Sequence, residues 1–378
     1  MKILHINFSK DGGAGIAVQR LCNALNENGI ESKFLYLKPY SPENSLISRF
    51  EKKINGAINI IFHKIFKIGT LNIFPSRLIQ LINKYDVDII HLHWINAEMI
   101  SIEQIKKIKK PLVWTFHDMW PISGNETYVS DLDFSKKAFK GISRWVWKRK
   151  FKNWKNLNIQ ICCPSQWMVD CAKRSPIFKD NNFYILPNIL DLNIFKPLDK
   201  AKMRNELKLP LEKKILLYGA HNICDFRKGI DLLNKVLEKI EHDDLFIIFF
   251  GKYSSKYNFK YPTKWMGYIN NEEALVKLYN CADVVCVPSR QETFGQTASE
   301  PQACGIPVVA FNTTGIKDVI AHKKTGYLAD PFDIEDFLNG INWVLNNNLS
   351  SEARELAIKR FSKDVILNKA KKIYQNAL

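Results

Sequence analysis

Glu292 and Glu300 stand eight positions apart in the run from Pro288 to Ala310, and this is the most chemically suggestive stretch of the 378-residue chain. The segment before it, Ala282 to Pro288, has the continuous apolar character of a parallel strand buried on both faces. Thr297 to Cys304 has helical character and stops at Gly305-Ile-Pro307, after which Val308 to Phe311 starts a new strand. Glu292 therefore belongs to a strand-to-helix loop, and Glu300 to the helix, about two turns in. The small residues Gly295, Thr297, Ala298 and Ser299 leave room for a ligand to approach the helix N-terminus, where free N–H groups favour anions. A second charged group, Arg227-Lys228 in Asp225-Phe-Arg-Lys-Gly229, offers a bidentate fork and a point charge. Cations at a helix start are poorly placed unless an anion joins them, so this pair points to an anionic ligand. Gly12, Gly13 and Gly15 follow the first strand and open the first helix, where backbone N–H groups can be brought against a phosphate. His117 ends the strand Leu112–Phe116, a position that favours a place in a site, or a hydrogen bond to Asp118.

The elements that must position these residues alternate. Strands are expected at Ile3–Phe8, Glu31–Leu37, Asp88–Trp94, Leu112–His117, Ile159–Pro164 and Asn182–Leu186, with a helix at Gly15–Asn28 closed by Gly29. A second set begins at Lys214–Gly219 and continues through Leu245–Gly251, Ala282–Pro288 and Pro307–Phe311. Between the sets, Leu186 to Pro197 is rich in turn formers and reads as a linker. The last segment, Ala357–Ala377, reads as one basic amphipathic helix. The rhythm implies two doubly wound, Rossmann-like α/β domains, 1–186 and 187–356, followed by the helix 357–378.

Composition narrows the class. Hydrophobic residues make up 46% and charged residues 25%, as in an ordinary globular protein. No apolar run is long enough to span a membrane, and the N-terminus reads as a strand and not a signal peptide. Eight cysteines without a Cys-x-x-Cys pair or zinc spacing read as reduced core thiols of a cytoplasmic protein. The net charge is +17, of which +13 lies in residues 1–185 and +4 in the rest. Such a field attracts anions, or it reflects high lysine usage alone. In Ile47–Ile68 seven apolar residues share a helical stripe with lysines mostly off it, and in Ser135–Leu157 basic residues crowd four aromatics. Both patterns suit an interfacial helix or a stripe packed on the core. Asp86-x-Asp88 and Asp131-x-Asp133 read as solvated surface. His91 and His93 alternate along a strand and read as mainly structural.

The Glu292/Glu300 pattern resembles the Glu-x7-Glu donor signature of retaining GT-B glycosyltransferases of family 4, bacterial surface-polysaccharide enzymes among them, and the resemblance spans nearly the whole chain. It implies two Rossmann-like domains facing across a cleft, with the C-terminal helix returning to the first. It implies that Glu292 binds sugar hydroxyls and Glu300 the ribose of a nucleoside-diphosphate sugar, that Arg227 and Lys228 hold the diphosphate, and that Gly12, Gly13 and Gly15 face it. His117 would contact the sugar. Gly267 and Tyr268, in Trp265–Ile269, would frame the base, and Phe294, Gly295, Gln296 and Thr297 would line the donor site. No metal or other cofactor is implied. The acceptor would be a glycan, lipid-linked at the inner membrane face, with the basic segments on anionic lipid. Trp114–Pro121 shares its wording with a polysaccharide-building branch whose Cys-rich insertion is absent here. A nucleic-acid-binding protein and a phosphorylase of the same fold are the rival readings. The first lacks a binding motif and the second a candidate pyridoxal phosphate lysine.

Overall fold

A computed structural model describes residues 1–37, 69–129, 139–252, 257 and 259–378. The Ile47–Ile68 stripe, Asp131-x-Asp133 and the start of the Ser135–Leu157 segment lie outside them. The chain divides into two compact units, Met1–Leu186 with Leu367–Leu378, and Pro187–Ile366.

The first unit holds strands β1 (Lys2–Asn7), β2 (Glu31–Tyr36), β3 (Ile89–Leu92), β4 (Leu112–Thr115), β5 (Ile159–Cys163) and β6 (Asn182–Ile185). They form one parallel sheet in the order β2-β1-β3-β4-β5-β6. β3, β4 and β5 are buried at every position, which is why they read as unbroken apolar runs. The order reverses between β1 and β3. The carboxyl ends of those strands are thus where an open α/β sheet takes its ligands. The glycine turn follows β1, His93 follows β3, and His117 follows β4.

The second unit holds β7 (Lys214–Asn222), β8 (Leu245–Lys252), β9 (Thr263–Trp265), β10 (Val284–Val287), β11 (Val308–Phe311) and β12 (Gly326–Ala329). All are parallel, in the order β12-β11-β10-β7-β8-β9, and the reversal falls between β7 and β10. The loops leaving these two strands carry Arg227-Lys228 and Glu292.

Several expectations shift. The first helix runs Gly12–Glu27, so Gly12 and Gly13 lie within its first turn beside Gly15 and do not precede it. β7 continues past Gly219 to Asn222 through an irregularity in its pairing with β8. The stretch expected as a linker is not a free connector: Leu190 and Phe195 are fully buried, and the Leu190 N–H bonds the Phe361 carbonyl. The expected single helix at 357–377 is two, Ser350–Phe361 and Lys363–Ala377, parted at Ser362. The second unit accordingly extends to Ile366, and Leu367–Leu378 groups with the first. Within the first unit, Tyr374 is buried and bonds His91.

The helix Gly141–Trp154 packs Val146 and Trp154 into the core, with Trp147 and Phe151 against its edge. Its aromatics are thus mostly core, while Trp145 is exposed beside the Arg149 guanidinium. Lys150 is fully buried on the same helix. Its ammonium reaches the carbonyls of Trp120, Ser123 and Gly124 and lies 3.9 Å from the Trp120 ring. These carbonyls satisfy the buried amine, while burial pushes its ionisation well below the usual lysine range.

Candidate active site

In the second unit the site grows from two loops joined back to back. Asp225 caps the short 3-10 turn Phe226–Lys228 by accepting from the Arg227 N–H at 3.0 Å. Gly229 then turns with φ +71°, and a Cβ there would lie 2.0 Å from the Pro288 carbonyl oxygen. Only glycine allows the two loops to approach this closely. Across that contact the Arg290 N–H donates to the Arg227 carbonyl at 2.7 Å. The Arg290 guanidinium grips Asp231 in a bidentate pair and stacks 3.9 Å from the exposed Phe226 ring.

On this platform the Lys228 ammonium pairs with Glu292 Oε1, which also accepts from the Ser289 hydroxyl at 3.1 Å. The Glu292 backbone is fixed by the Thr314 hydroxyl and by the Gly315 N–H. Glu292 is 8% exposed and so presents a held carboxylate, not a solvated one. Arg227 pairs with Asp225 and keeps about a third of its side chain exposed. Beneath them the Tyr218 hydroxyl donates to the Lys228 carbonyl, and burial, reinforced by the negative charge of Glu292, pushes its ionisation well above the usual phenol range.

Gly295, at φ +97°, caps the helix Gln296–Ala303. Glu300 is the fifth residue of this helix, one turn in and not two. It is 4% exposed and accepts from the Tyr279 hydroxyl at 2.9 Å. Gln296 and Thr297 are half-buried in its first turn. Phe294 points the other way: its ring packs in the core against Phe361, so only its backbone can serve a ligand. Gly267 and Tyr268 follow β9, with Tyr268 exposed, edge-on to His221 and 5.1 Å from the Lys252 ammonium.

In the first unit Gly15 is required by packing, since a Cβ there would strike the Lys10 backbone at 2.3 Å. Gly12 takes φ +78° and Gly13 follows it in the opening turn. His117 is linked to His93, Nε2 to Nδ1, at 3.0 Å. Asp118 accepts from the Trp94 indole, from Asn96 and from the Trp120 N–H. Burial drives the histidines toward the neutral form, His117 to about 4, His5 to about 3, and His91 and His93 well below the usual range.

His5, His91 and His93 bring a ring nitrogen each within 4.8 Å of one another, the spacing of a possible metal cluster. Five of their six nitrogens are already bonded, to each other, to His117, to Tyr374 and to Thr115, and the His91 and His93 rings stack at 4.1 Å. Coordination would have to dismantle that network. Asp86 and Asp88 lie at the surface around Lys2 and the N-terminal amine.

Two family models divide the chain between them. Glycosyltransferase Family 4 matches residues 11–194, and Glycosyl transferases group 1 matches residues 199–363. The chain is a family 4 glycosyltransferase.

This glycosyltransferase is 25% identical, over the full length of both chains, to an "uncharacterized 41.2 kDa protein in cps region" of Klebsiella pneumoniae. Its fold matches sucrose-phosphate synthase from Thermosynechococcus elongatus with a TM-score of 0.72 at 19% identity, covering 100% of this chain and 99% of that one. It also matches Anabaena HepE, solved in complex with UDP-glucose, with a TM-score of 0.64 at 16% identity, covering 99% and 100%. These likenesses place the enzyme in the GT-B fold. Among its described residues no helix is long and apolar enough to cross a membrane. All eight of its cysteines are reduced thiols, and only Cys224 is exposed.

The residues that hold the glycosyltransferase site together were not evident in its sequence. Ser289, Thr314 and Tyr279 are hydroxyls whose partners lie 3, 22 and 21 positions away. His5 and His93 join through a bond spanning 88 positions. The one available signal was the alternation of His91, in β3, with His93 just beyond its end, which puts both on one face of that extended segment.

Proposed function

We propose that the enzyme transfers a sugar, with retention of anomeric configuration, from a nucleoside-diphosphate sugar to a glycan acceptor in polysaccharide synthesis. The observation that carries this reading is the meeting of Lys228 and Glu292 at the reversal point of the second sheet. A cation and a carboxylate there suit a ligand that is a diphosphate at one end and a polyhydroxylated ring at the other. Arg227 and Lys228 stabilise the charge that grows on the departing diphosphate, in place of a divalent metal. Glu292 takes sugar hydroxyls and Glu300 the ribose, with the opening turn of Gln296–Ala303 toward phosphate. His117 contacts the sugar. Retention follows a same-face course in which the leaving phosphate helps deprotonate the acceptor. The acceptor is lipid-linked at the cytoplasmic face, and the +13 of residues 1–185 draws the enzyme to anionic lipid.

A thermal-shift screen against UDP-, GDP-, dTDP- and ADP-sugars tests the donor, because a ligand selective for the folded state raises its stability with affinity. One class should stabilise the protein in the presence of chelator, and NMR of the transfer product should show the donor's anomeric configuration. No shift with any nucleotide sugar, or an inverted product, would overturn the reading.

A further inference from the structure

The helix Gly141–Trp154 has two unlike faces. Val146, Lys150 and Trp154 are buried on the inner one. Residues three and four apart share a helix face. Arg144, Lys148, Lys152 and Lys155 follow that spacing on the outer side, and all four are exposed. Lys140, at the N-cap, adds a fifth exposed cation. The helix itself carries no acidic residue. The acids that bond it from neighbouring segments are already engaged, Glu103 by the Arg149 guanidinium and Glu126 by the Ser143 hydroxyl.

Two large apolar residues share this outer face. Ile142 is 45% exposed and Trp145, one turn later, 47%. Trp145 is not loosely hung. The Arg149 guanidinium lies 4.5 Å from its ring centroid and is itself fixed by Glu103 and by the carbonyls of Leu71 and Asn72. The indole is thus presented outward on a rigid support. A face of cations alone would suit a phosphate chain, and a bare apolar face would suit a protein partner. Cations around two exposed apolar side chains suit a surface that is anionic outside and apolar beneath, which is a bilayer with anionic headgroups. An indole is at home at that boundary, with an apolar body and one polar N–H.

We propose that the outer face of the helix Gly141–Trp154 is where this enzyme meets anionic lipid. The helix lies in the plane of the interface, with Trp145 and Ile142 in the headgroup layer and the five cations on lipid phosphates. The proposal rests on the attraction to anionic lipid given above, and it narrows a diffuse +13 to one face.

The test is co-sedimentation of the full-length protein with vesicles of phosphatidylcholine alone and of phosphatidylcholine with phosphatidylglycerol, across a salt series. The wild type should pellet with the anionic vesicles only, and less as salt rises. Each cation near such a surface contributes about fivefold in partition, so replacing Arg144, Lys148 and Lys152 together by Gln should weaken binding by about a hundredfold. Replacing Lys202, Lys214 and Lys235 by Gln takes the same charge from exposed positions of the second unit and should leave binding nearly unchanged. Ile142→Ser with Trp145→Ser should weaken binding without changing its salt slope, because it removes apolar burial and no charge. Trp145→Phe, which keeps an apolar ring, should retain most of the binding. Melting temperatures and nucleoside-diphosphate titrations check that the fold and the donor site survive in each variant. Equal loss in the two triple variants would overturn the proposal and leave an attraction by net charge alone. Full binding by the Ile142→Ser, Trp145→Ser variant would overturn it too, as would tighter wild-type binding to a DNA or RNA oligonucleotide than to anionic vesicles. A wild type that pellets with neither vesicle removes both this face and the attraction on which it rests.

Discussion

Glu292→Gln should separate nucleotide binding from sugar transfer. The substitution keeps the side-chain shape and the bond from Ser289 but removes the negative charge that Lys228 faces. Opposite charges about 3 Å apart attract by about 5 kcal/mol at an effective dielectric of about 20. That gross figure shrinks once solvent and side-chain entropy are counted, and hydrogen bonds to charged groups contribute about 1.5–3 kcal/mol net. The lysine and glutamate side chains are 20% and 10% exposed, so the lower end of that range applies. In the wild type an arriving diphosphate must share Lys228 with Glu292. In the variant the ammonium is released, and nucleoside-diphosphate affinity should hold or rise by up to about tenfold, equivalent to about 1.4 kcal/mol. Sugar transfer should fall by about tenfold or more, because the carboxylate that takes the sugar hydroxyls is gone. Calorimetric titration with UDP, GDP, dTDP and ADP measures the first quantity, and nucleotide release from the matching sugar donor measures the second. Lys228→Met is the control and should lose affinity for the same nucleotide. Parallel loss of nucleotide binding and turnover in Glu292→Gln would refute the reasoning, since it would make Glu292 an anchor for the nucleotide and not for the sugar.

Three further outcomes are expected. Glu300→Gln and Tyr279→Phe should each weaken nucleotide binding, the first by about tenfold and the second by less, since the tyrosine orients the carboxylate through one bond; unchanged titrations in both would remove Glu300 from the ribose. Arg227→Ala should lower turnover more than donor affinity, and chelator should leave wild-type turnover intact, whereas full dependence on manganese or magnesium would contradict the role given to the two cations. Stability should be complete above about pH 6.5 and should fall as pH drops from there toward 4, because the unfolded chain takes up protons that His5 and His117 refuse while folded. Each histidine so held contributes a loss of about 1.4 kcal/mol per pH unit within that window. Urea midpoints at pH 7.5, 6 and 5 measure it, ahead of the carboxylate range, and equal midpoints would mean that the row is not held neutral.

The legible part of this protein was the part written in contiguous sequence. Apolar runs gave away β10 and β11, and the loop between them carried Glu292 and Glu300 in one reading frame. Arg227 and Lys228 were legible for the same reason. What escaped depends on contacts between distant segments. β9 is three half-buried residues, and β12 is four that begin with a glycine, too short for any period to register. Leu186 to Pro197 carries turn formers yet is drawn down by Phe195, whose burial no local pattern reveals. Phe294 stands among site residues in sequence and faces the core in space, because Gly295 reverses the backbone directly after it. His5 had no feature to single it out, as its significance lies in a bond across 88 positions.

The joining of the Asp225–Asp231 and Pro288–Glu292 loops bears on how this enzyme could be re-engineered or diversify. The contact of Gly229 with the Pro288 carbonyl, the Arg290–Asp231 pair and the Lys228–Glu292 pair make the two loops one rigid body, although about sixty residues separate them in the chain. A chimera that imports either loop alone from a relative with another donor would set a new side chain against an old backbone and spread the platform. Changes at 227–231 and at 288–292 must therefore be inherited together, and donor specificity should transplant only when both segments move as a pair.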